Sequence, residues 1–374
     1  MATVLAPAPR DIRVEDRAVV IAWTDECRGV FPFAWLRDNC ACPECRHESG
    51  QRLLEPAAIP LDVHPLEVRF ERDRLLLAWA PEGHASTYSG EWLRNGAAPA
   101  AGARQLWDAA IADDLPLVDG AGVVRDPRVL RRWLAFVDRL GFGLLSGVPV
   151  SDGEVARIAE LFGHVRVTNY GRIFEVRAVV DPANLAYTSL GLGPHTDNPY
   201  REPVPSLQLL HCLSSSAEGG ESTLVDGFAV AEALRADHPA DFARLAGRSV
   251  AFAYADEGAE LRAEAPVIEL DPHGAVRALR FNPRSLRTAS IPASERAGWY
   301  DAYLRLARML VDERFEVRLR LAPGDLLIVD NRRVLHGRAP YATSAGRRHL
   351  QGCYADIDGL RSTLAVLARE DERA

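Results

Sequence analysis

Three cysteines fall within six residues of the segment WLRDNCACPECRHESG, at Cys40, Cys42 and Cys45. Thiols this close along a chain cannot all pair with one another, but three thiolates can surround one Zn2+ tetrahedrally once a fourth donor arrives. Three histidines are candidates for that place: His47, almost adjacent and sterically awkward, His64, and His84, which lies 39 residues beyond Cys45. A closed tetrahedral set has no position for water, so the zinc reads as structural and not catalytic. The plain alternative is a set of free buried thiols or a redox switch. Six cysteines in 374 residues are too few for a disulfide-stapled scaffold, and the scattered Cys27, Cys212 and Cys353 read as core residues.

The cysteine segment is irregular and sits among short strands. Residues 10–23 alternate apolar and polar as a half-buried strand does, and further strands are expected at Leu66–Phe70 and Leu75–Trp79, around the charged turn ERDR. The stretch NGAAPAAGA that follows has the small, flexible composition of a linker. The expected organisation is a β-rich zinc-binding domain over 1–95, a linker over 96–105 and a larger domain over 106–374.

The larger segment mixes helices and strands. Asp126 and Pro127 open a helix as cap and first-turn residue, and Val129, Trp133, Phe136, Val137 and Leu140 recur at helical spacing up to Gly141. A buried strand is expected at Gly143–Val150 and a helix over 152–162. Strands are also expected at Ser206–Cys212, Ser222–Asp226, Val267–Leu270, Arg314–Leu321 and Leu326–Asp330, with helices over 228–237, 294–312 and 357–369. Short strands with helices at the ends argue for an α+β domain whose core is a sheet sandwich or barrel.

Composition removes several chemistries. All 44 basic residues are arginine, so there is no Schiff-base lysine, no phosphate-binding loop of the GK[ST] type and no lysine general base. A GC-rich coding sequence is the plain reading of that bias. The net charge of −8 lacks the basic footprint of nucleic-acid binding. No apolar run is long enough to span a bilayer, and Met1 to Arg10 lacks the apolar core of a signal peptide. A cytoplasmic enzyme without nucleic-acid or membrane partners is the expectation.

The second cluster lies in LGPHTDNPYREPVP, where His195 and Asp197 are two residues apart and share a face of an extended segment. His336 follows the apolar strand of LLIVDNRRVLHGRAPY. Two histidines and a carboxylate form the facial triad of non-haem Fe(II) oxygenases, which leaves three coordination positions open. H-x-D alone is weak, but here a distant His-Gly joins it and Arg348 follows 12 residues later in GRRHLQGCYAD, beside Arg347. A 2-oxoglutarate cosubstrate that chelates iron through its keto-acid end leaves a far carboxylate, and a guanidinium fork suits that group. A double arginine by itself reads as a solvated face; its place after His336 reverses that reading.

Together with PEGHASTYSGEWL, NLAYTSL, GGESTLVDGF and PGDLLIVDNRRVLHGR, these motifs resemble the gamma-butyrobetaine and trimethyllysine dioxygenase family, within the taurine-dioxygenase group of Fe(II)/2-oxoglutarate oxygenases. The matching pieces cover nearly the whole chain. The resemblance implies a double-stranded β-helix (jelly-roll) oxygenase domain behind the zinc domain, with Fe(II) and structural Zn(II), and with 2-oxoglutarate and O2 as cosubstrates. It selects His84 as fourth zinc ligand, His195, Asp197 and His336 as iron ligands, and Arg348 as the 2-oxoglutarate arginine. The threonine that assists the cosubstrate in the wider group falls here at Ser222, a departure that keeps the hydroxyl. Relatives imply a homodimer.

Family members with the zinc module hydroxylate trimethylammonium compounds. A quaternary ammonium donates no hydrogen bond and is held on aromatic faces. The resemblance points to Tyr170, Tyr187 and Tyr354 as cage walls, with Phe174 in place of a larger aromatic; each taken singly reads as core packing. For the anionic end it points to Asn184 and Asn282. Asn198 and Tyr200 follow the iron motif directly, and Arg201, Arg284 and Arg287 are nearby. The expected activity is hydroxylation of gamma-butyrobetaine to carnitine. An inward Arg284 or Arg201 would favour 2-(trimethylammonio)ethylphosphonate instead. Two other classes remain: a zinc-stabilised binding module without catalysis, which the intact triad opposes, and a zinc hydrolase on the same triad, which would need no 2-oxoglutarate.

Overall fold

The computed structural model describes residues 9–81, 83–95, 104–177, 189–342 and 346–373. The chain divides into two compact units, Met1–Ala101 and Gly102–Ala374. In the first unit, β1 (Pro9–Glu15) and β2 (Ala18–Trp23) form a hairpin, and β3 (Arg28–Pro32) extends it. The alternation over 10–23 is thus two strands and not one. Asp16 and Arg17 make the turn, and the register sets Ile12 against Ile21 and Val14 against Val19. Helix α1 (Phe33–Asp38) leads into the cysteine segment. A second sheet holds β4 (Pro65–Glu71), β5 (Arg74–Trp79) and β6 (His84–Ser89), and α2 (Gly90–Asn95) follows. Arg72 and Asp73 turn the β4–β5 hairpin with φ of 48° and 62°, the left-handed pair that matches strand twist. Val19, Ile21, Trp23, Phe31, Leu75, Leu77 and Trp79 close a core between the sheets.

The second unit starts with β7 (Leu117–Asp119), α3 (Gly120–Arg125) and α4 (Pro127–Leu140). Asp126 caps α4 by accepting from the Arg128 amide at 2.9 Å, and Gly141 ends it at φ 81°. Next come β8 (Phe142–Ser146), α5 (Glu154–Ala159), β9 (Val165–Arg166), β10 (Phe174–Val176), β11 (Leu192–His195), β12 (Leu207–Ser215) and β13 (Ser222–Asp226). The strand expected over 143–150 stops at Ser146, where Gly147 takes positive φ, and the helix expected over 152–162 starts after Gly153, also at positive φ, and ends at Ala159 in turns.

An insertion follows, with α6 (Gly227–Asp237), α7 (Pro239–Gly247), β14 (Ser249–Ala255), β15 (Glu260–Pro266), β16 (Ile268–Leu270), β17 (Val276–Leu279), β18 (Leu286–Arg287) and α8 (Ala293–Met309). The chain closes with β19 (Glu316–Leu319), β20 (Leu326–Asp330), β21 (Val334–Arg338), β22 (Arg348–Ala355) and α9 (Ile357–Arg373).

Two sheets of this unit face each other. The larger runs β10-β22-β12-β20-β8-β7, with β9 also on β22, and the smaller runs β11-β21-β13-β19. All pairs within them are antiparallel except β7 with β8. Strand alternation sorts the larger sheet into two faces. Leu207, Leu209, Leu326, Ile328 and Cys353 pack outward under α4 and α5, against Trp133, Leu134 and Val155. Phe142, Leu144, Leu327, Val329 and Leu350 pack inward against Leu224, Val317 and Val334 of the smaller sheet. Each fully buried aliphatic side chain here stabilises the sandwich by roughly 1.5–3 kcal/mol. The inner face is interrupted on one side by polar residues, and the cavity lies there. No helix among the described residues is long and apolar enough to cross a membrane.

Candidate active site

His195 ends β11 and His336 lies on β21, and the antiparallel register sets the two directly opposite each other. Their ring centroids are 4.5 Å apart. Asp197 lies past the end of β11, in a bend and not in a continued strand. Its backbone is clamped by the fully buried Asn331: the Asp197 amide donates to Asn331 Oδ1 at 2.7 Å, and Asn331 Nδ2 donates to the Asp197 carbonyl at 2.9 Å. This brings Asp197 Oδ1 to 3.4 Å from His195 Nε2, and Oδ2 to 3.8 Å from His336 Nε2. One ligand atom from each of the three residues lies within 4.8 Å of the others.

The protonation states suit metal binding. His195 Nδ1 donates to the Gly193 carbonyl at 2.9 Å, which leaves Nε2 with its lone pair toward the cluster. Burial pushes the His336 imidazole down to about 4, so that ring is neutral at ordinary pH. Burial alone would raise Asp197, but the neighbouring His336 and His195 and the Tyr354 hydroxyl outweigh it and hold the carboxyl well below its usual range. Two imidazoles and one carboxylate are the donor set of a three-ligand iron centre with open positions.

The cluster opens on a cavity of about 480 Å3, in the usual range for a small-molecule site. Arg348 lies at its closed side with 9% of its surface exposed. Its Nε donates to the Gly220 carbonyl at 3.0 Å, while Nη1 is buried with no hydrogen-bond partner among the described residues. Burial pushes its pKa down to about 10, which still leaves it charged near neutrality. Tyr341 lies under both Arg348 and Arg338, at 5.9 Å and 5.2 Å. An unpartnered buried guanidinium nitrogen beside a three-ligand metal cluster fits a dicarboxylate cosubstrate. Ser222, also on the wall, is buried next to Arg338 in register.

Of the sequence-derived substrate residues, Tyr170, Phe174, Asn198, Asn282, Arg284, Arg287 and Tyr354 all line this cavity. Asn184 and Tyr187 lie outside the described residues. Arg201 is not on the wall; it donates to Asn169. Phe174 packs on Tyr354 at 5.0 Å, and the approach depends on Gly352, where a Cβ would meet the Phe174 ring at 2.4 Å. Arg284 keeps part of its side chain in solvent. Asn282 has both amide ends engaged, donating to the Thr196 carbonyl at 3.0 Å and accepting from the Arg284 amide at 3.2 Å. Asn198 is different: it takes φ 51°, is 3% exposed, accepts from the Tyr200 hydroxyl at 2.8 Å and leaves Nδ2 without a partner among the described residues.

Tyr254, Gln208, Arg338, Glu175 and Asn331 are wall or support residues that the sequence candidates did not include. Tyr254 stacks on Tyr200 at 5.0 Å and meets Tyr170 edge-on at 6.0 Å, while the Tyr170 and Tyr200 hydroxyls lie 2.9 Å apart. Gln208, Arg338 and Glu175 also line the cavity. Tyr200 stood next to the iron motif, and Asn331 inside the apolar-strand motif; for Gln208 and Tyr254 only strand alternation could have hinted at a face.

In the first unit, Cys40, Cys42, Cys45 and His84 come together. The three sulfurs lie 3.4, 3.5 and 3.4 Å from His84 Nε2, close to the ~3.5 Å edge expected of a tetrahedron with usual zinc–sulfur and zinc–nitrogen bonds. His84 faces the cluster because it opens β6 opposite Trp79. Its Nδ1 is 3.5 Å from the Glu44 carboxylate, and Arg37 donates to Cys45 Sγ at 3.1 Å. Both contacts are the outer support that orients metal ligands. His47 pairs with Ser49, and His64 with the Asp62 carbonyl, outside the cluster.

Residues 112–354 match the family described as "Taurine catabolism dioxygenase TauD, TfdA family". Residues 11–95 match "Gamma-butyrobetaine hydroxylase-like, N-terminal". The chain is 39% identical to a gamma-butyrobetaine dioxygenase of Pseudomonas sp. (strain AK-1), over 94% of each chain. It is 30% identical to a trimethyllysine dioxygenase of Meyerozyma guilliermondii, over 94% of this chain and 93% of that one. Among solved structures it resembles an asparagine oxygenase in complex with Fe(II), 3-hydroxyasparagine and succinate, with TM-score 0.50 and 21% identity over 62% of this chain and 80% of that chain.

Proposed function

Because the chain belongs to the TauD, TfdA dioxygenase family and carries the butyrobetaine-hydroxylase-like N-terminal module, we propose that it hydroxylates a small zwitterionic trimethylammonium compound, gamma-butyrobetaine first. It is an Fe(II)- and 2-oxoglutarate-dependent dioxygenase with a double-stranded β-helix domain. The observation that carries the substrate reading is a single cavity that joins the His195–Asp197–His336 cluster, the orphaned Arg348 nitrogen and a wall of tyrosines.

In this reading His195, Asp197 and His336 hold the iron, Arg348 takes the far carboxylate of 2-oxoglutarate, and Ser222 assists it. Iron and cosubstrate supply the oxidising chemistry, in which 2-oxoglutarate yields succinate and CO2 and one oxygen atom enters a substrate C–H bond. Tyr170, Phe174 and Tyr354, with Tyr187, face the trimethylammonium group; Tyr254 extends that wall. Asn198, Asn282, Arg284 and Asn184 receive the anionic end. Leu210, Leu327 and Leu350 on the cavity wall keep water from the reacting centre. Cys40, Cys42, Cys45 and His84 hold a structural zinc. The module is assigned to 1–95 and the oxygenase to 106–374, with 96–105 as linker. The two matched segments and the compact units support that division. A cytoplasmic homodimer completes the reading; light scattering on the purified protein tests the dimer, and a single-chain mass would overturn it.

The test is succinate formation with Fe(II), 2-oxoglutarate, O2 and gamma-butyrobetaine. Substrate-dependent turnover with a hydroxylated product is expected; cosubstrate binding without turnover on any trimethylammonium compound sinks the reading. A second substrate, 2-(trimethylammonio)ethylphosphonate, is favoured by two features: Asn198 Nδ2 is a buried donor with no partner among the described residues, and Arg284 and Arg287 line the same cavity. An anion with three acceptor oxygens uses such donors more fully than a carboxylate. Side-by-side turnover of the two decides between them.

A further inference from the structure

Asp197 is the one metal-ligating group of the cavity whose carboxylate has two oxygens to offer, and the protein treats them differently. Oδ2 accepts from the Tyr354 hydroxyl at 2.7 Å and from Gln208 Nε2. A carboxylate only accepts, so Gln208 must present its NH2 side here, and two donors occupy the lone-pair positions of that oxygen. Oδ1 faces the cluster instead, 3.4 Å from His195 Nε2, the nitrogen that turns toward the same metal position.

The two donors are not independent strays. Gln208 on β12 and Tyr354 on β22 are cross-strand partners in the larger sheet. Both point to the inner face, while their neighbours Leu207, Leu209, Cys353 and Ala355 pack outward. They are 3% and 4% exposed, so water does not compete for the contact. Gln208 Oε1 is buried with no partner among the described residues, although an amide placed only for stability would have both ends satisfied. The smaller sheet and the Asn331 clamp deliver Asp197 from one side, and one ladder position of the larger sheet meets it from the other.

We propose that Gln208 and Tyr354 are positioning residues that occupy Oδ2 of Asp197, so that Oδ1 is the oxygen given to iron. The inference rests on reading the His195–Asp197–His336 cluster as the iron site. It gives Tyr354 two separable parts: its ring, packed on Phe174, faces the substrate, and its hydroxyl orients the metal's carboxylate. Removing either donor frees the carboxylate to rotate, and outer-shell losses of this kind weaken metal binding about 10- to 100-fold.

The experiment titrates Mn(II), standing for Fe(II), into the full-length protein stripped of iron but with its zinc retained. Wild type, Gln208→Leu, Tyr354→Phe and Asp197→Ala are compared, with KM for the organic substrate measured on the Fe(II) forms. Wild type is expected to bind one Mn(II), Asp197→Ala none, and each of the other two about 10- to 100-fold more weakly. Tyr354→Phe, which keeps the ring, is expected to raise KM for the trimethylammonium substrate less than it weakens the metal. If Gln208→Leu fails to fold, Tyr354→Phe carries the test alone. Wild-type Mn(II) affinity in Tyr354→Phe, with or without lowered thermal stability, overturns the inference alone. No Mn(II) binding by wild type overturns the metal-site reading and the inference with it.

Discussion

Arg348 shows what one residue is asked to do when burial and charge pull against each other. Its guanidinium is desolvated with one nitrogen unpartnered among the described residues, a cost that a bound anionic ligand would offset. Arg348→Ala should raise KM for 2-oxoglutarate about 10- to 100-fold, from the 1.5–3 kcal/mol of a charge-assisted hydrogen bond. Arg348→Lys should recover little, since an ammonium cannot form the planar fork. Cosubstrate titrations at saturating organic substrate check both. His211 is the opposite case, a fully buried imidazole on β12 that the chemistry does not use. Burial lowers its pKa below the ordinary 6.5, against the pull of Glu154, the Val148 backbone and Asp325. The unfolded chain therefore takes up the proton first, and stability should fall as pH drops below about 6.5. Melting curves at pH 7.5 and 5.5 should differ less for His211→Leu than for wild type. At this scale the sequence named the ligands because H-x-D, a distant His-Gly and an arginine 12 residues on form a spacing. It did not name Gln208, Asn331 or Tyr254, since a lone amide or phenol acquires its meaning only from the strand across from it.

Among the elements, periodicity was informative wherever one face is buried and the other is not. The expected bounds Ser222–Asp226 and Leu326–Asp330 match β13 and β20, and α4 runs from its Asp-Pro start to its glycine stop. β21 and β22 went unmarked because their sequences, VLHGR and RHLQGCYA, mix site residues with packing residues and break the alternation. β14, β15 and α7 in the insertion had no expected counterpart, although β14 and β15 form a local hairpin closed at Ala255 and Glu260. One long-range tie is specific. Asp226, fully buried at the end of β13, accepts from Arg333 at 3.0 and 2.7 Å, from the Trp107 amide at 3.1 Å and from the Phe228 amide that opens α6. It joins the β20–β21 turn to the start of the insertion and to the segment before β7. Asp226→Asn leaves the Arg333 charge uncompensated in the interior and should destabilise the oxygenase unit by about 3–5 kcal/mol. Urea unfolding followed by tryptophan fluorescence reads this loss; a change under 1 kcal/mol would show that the pair is dispensable.

For the whole molecule, each unit closes a core from its own residues: 12 to 93 in the first, 107 to 367 in the second. Within the first unit, the cysteine segment has the least regular structure to hold it. The unit's two sheets have three strands each, and the cysteine segment between α1 and β4 contains no strand and only one short turn of helix. That irregular segment carries the one dense cysteine group, which comes together with His84, so a bound metal would tie it to β6. A structural zinc contributes on the order of 10 kcal/mol or more to small folds built around it. Cys42→Ala removes one of four ligands without touching the aliphatic core. It should lower bound zinc from about one per chain and move the first unit's melting transition down, separating it from that of the oxygenase unit. The second unit owes none of its metal ligands to the first, so Mn(II) affinity at the His195–Asp197–His336 cluster should persist in the variant. Full zinc retention in Cys42→Ala would refute the cluster as the zinc site. Loss of Mn(II) binding along with the zinc would show instead that the two units fold as one.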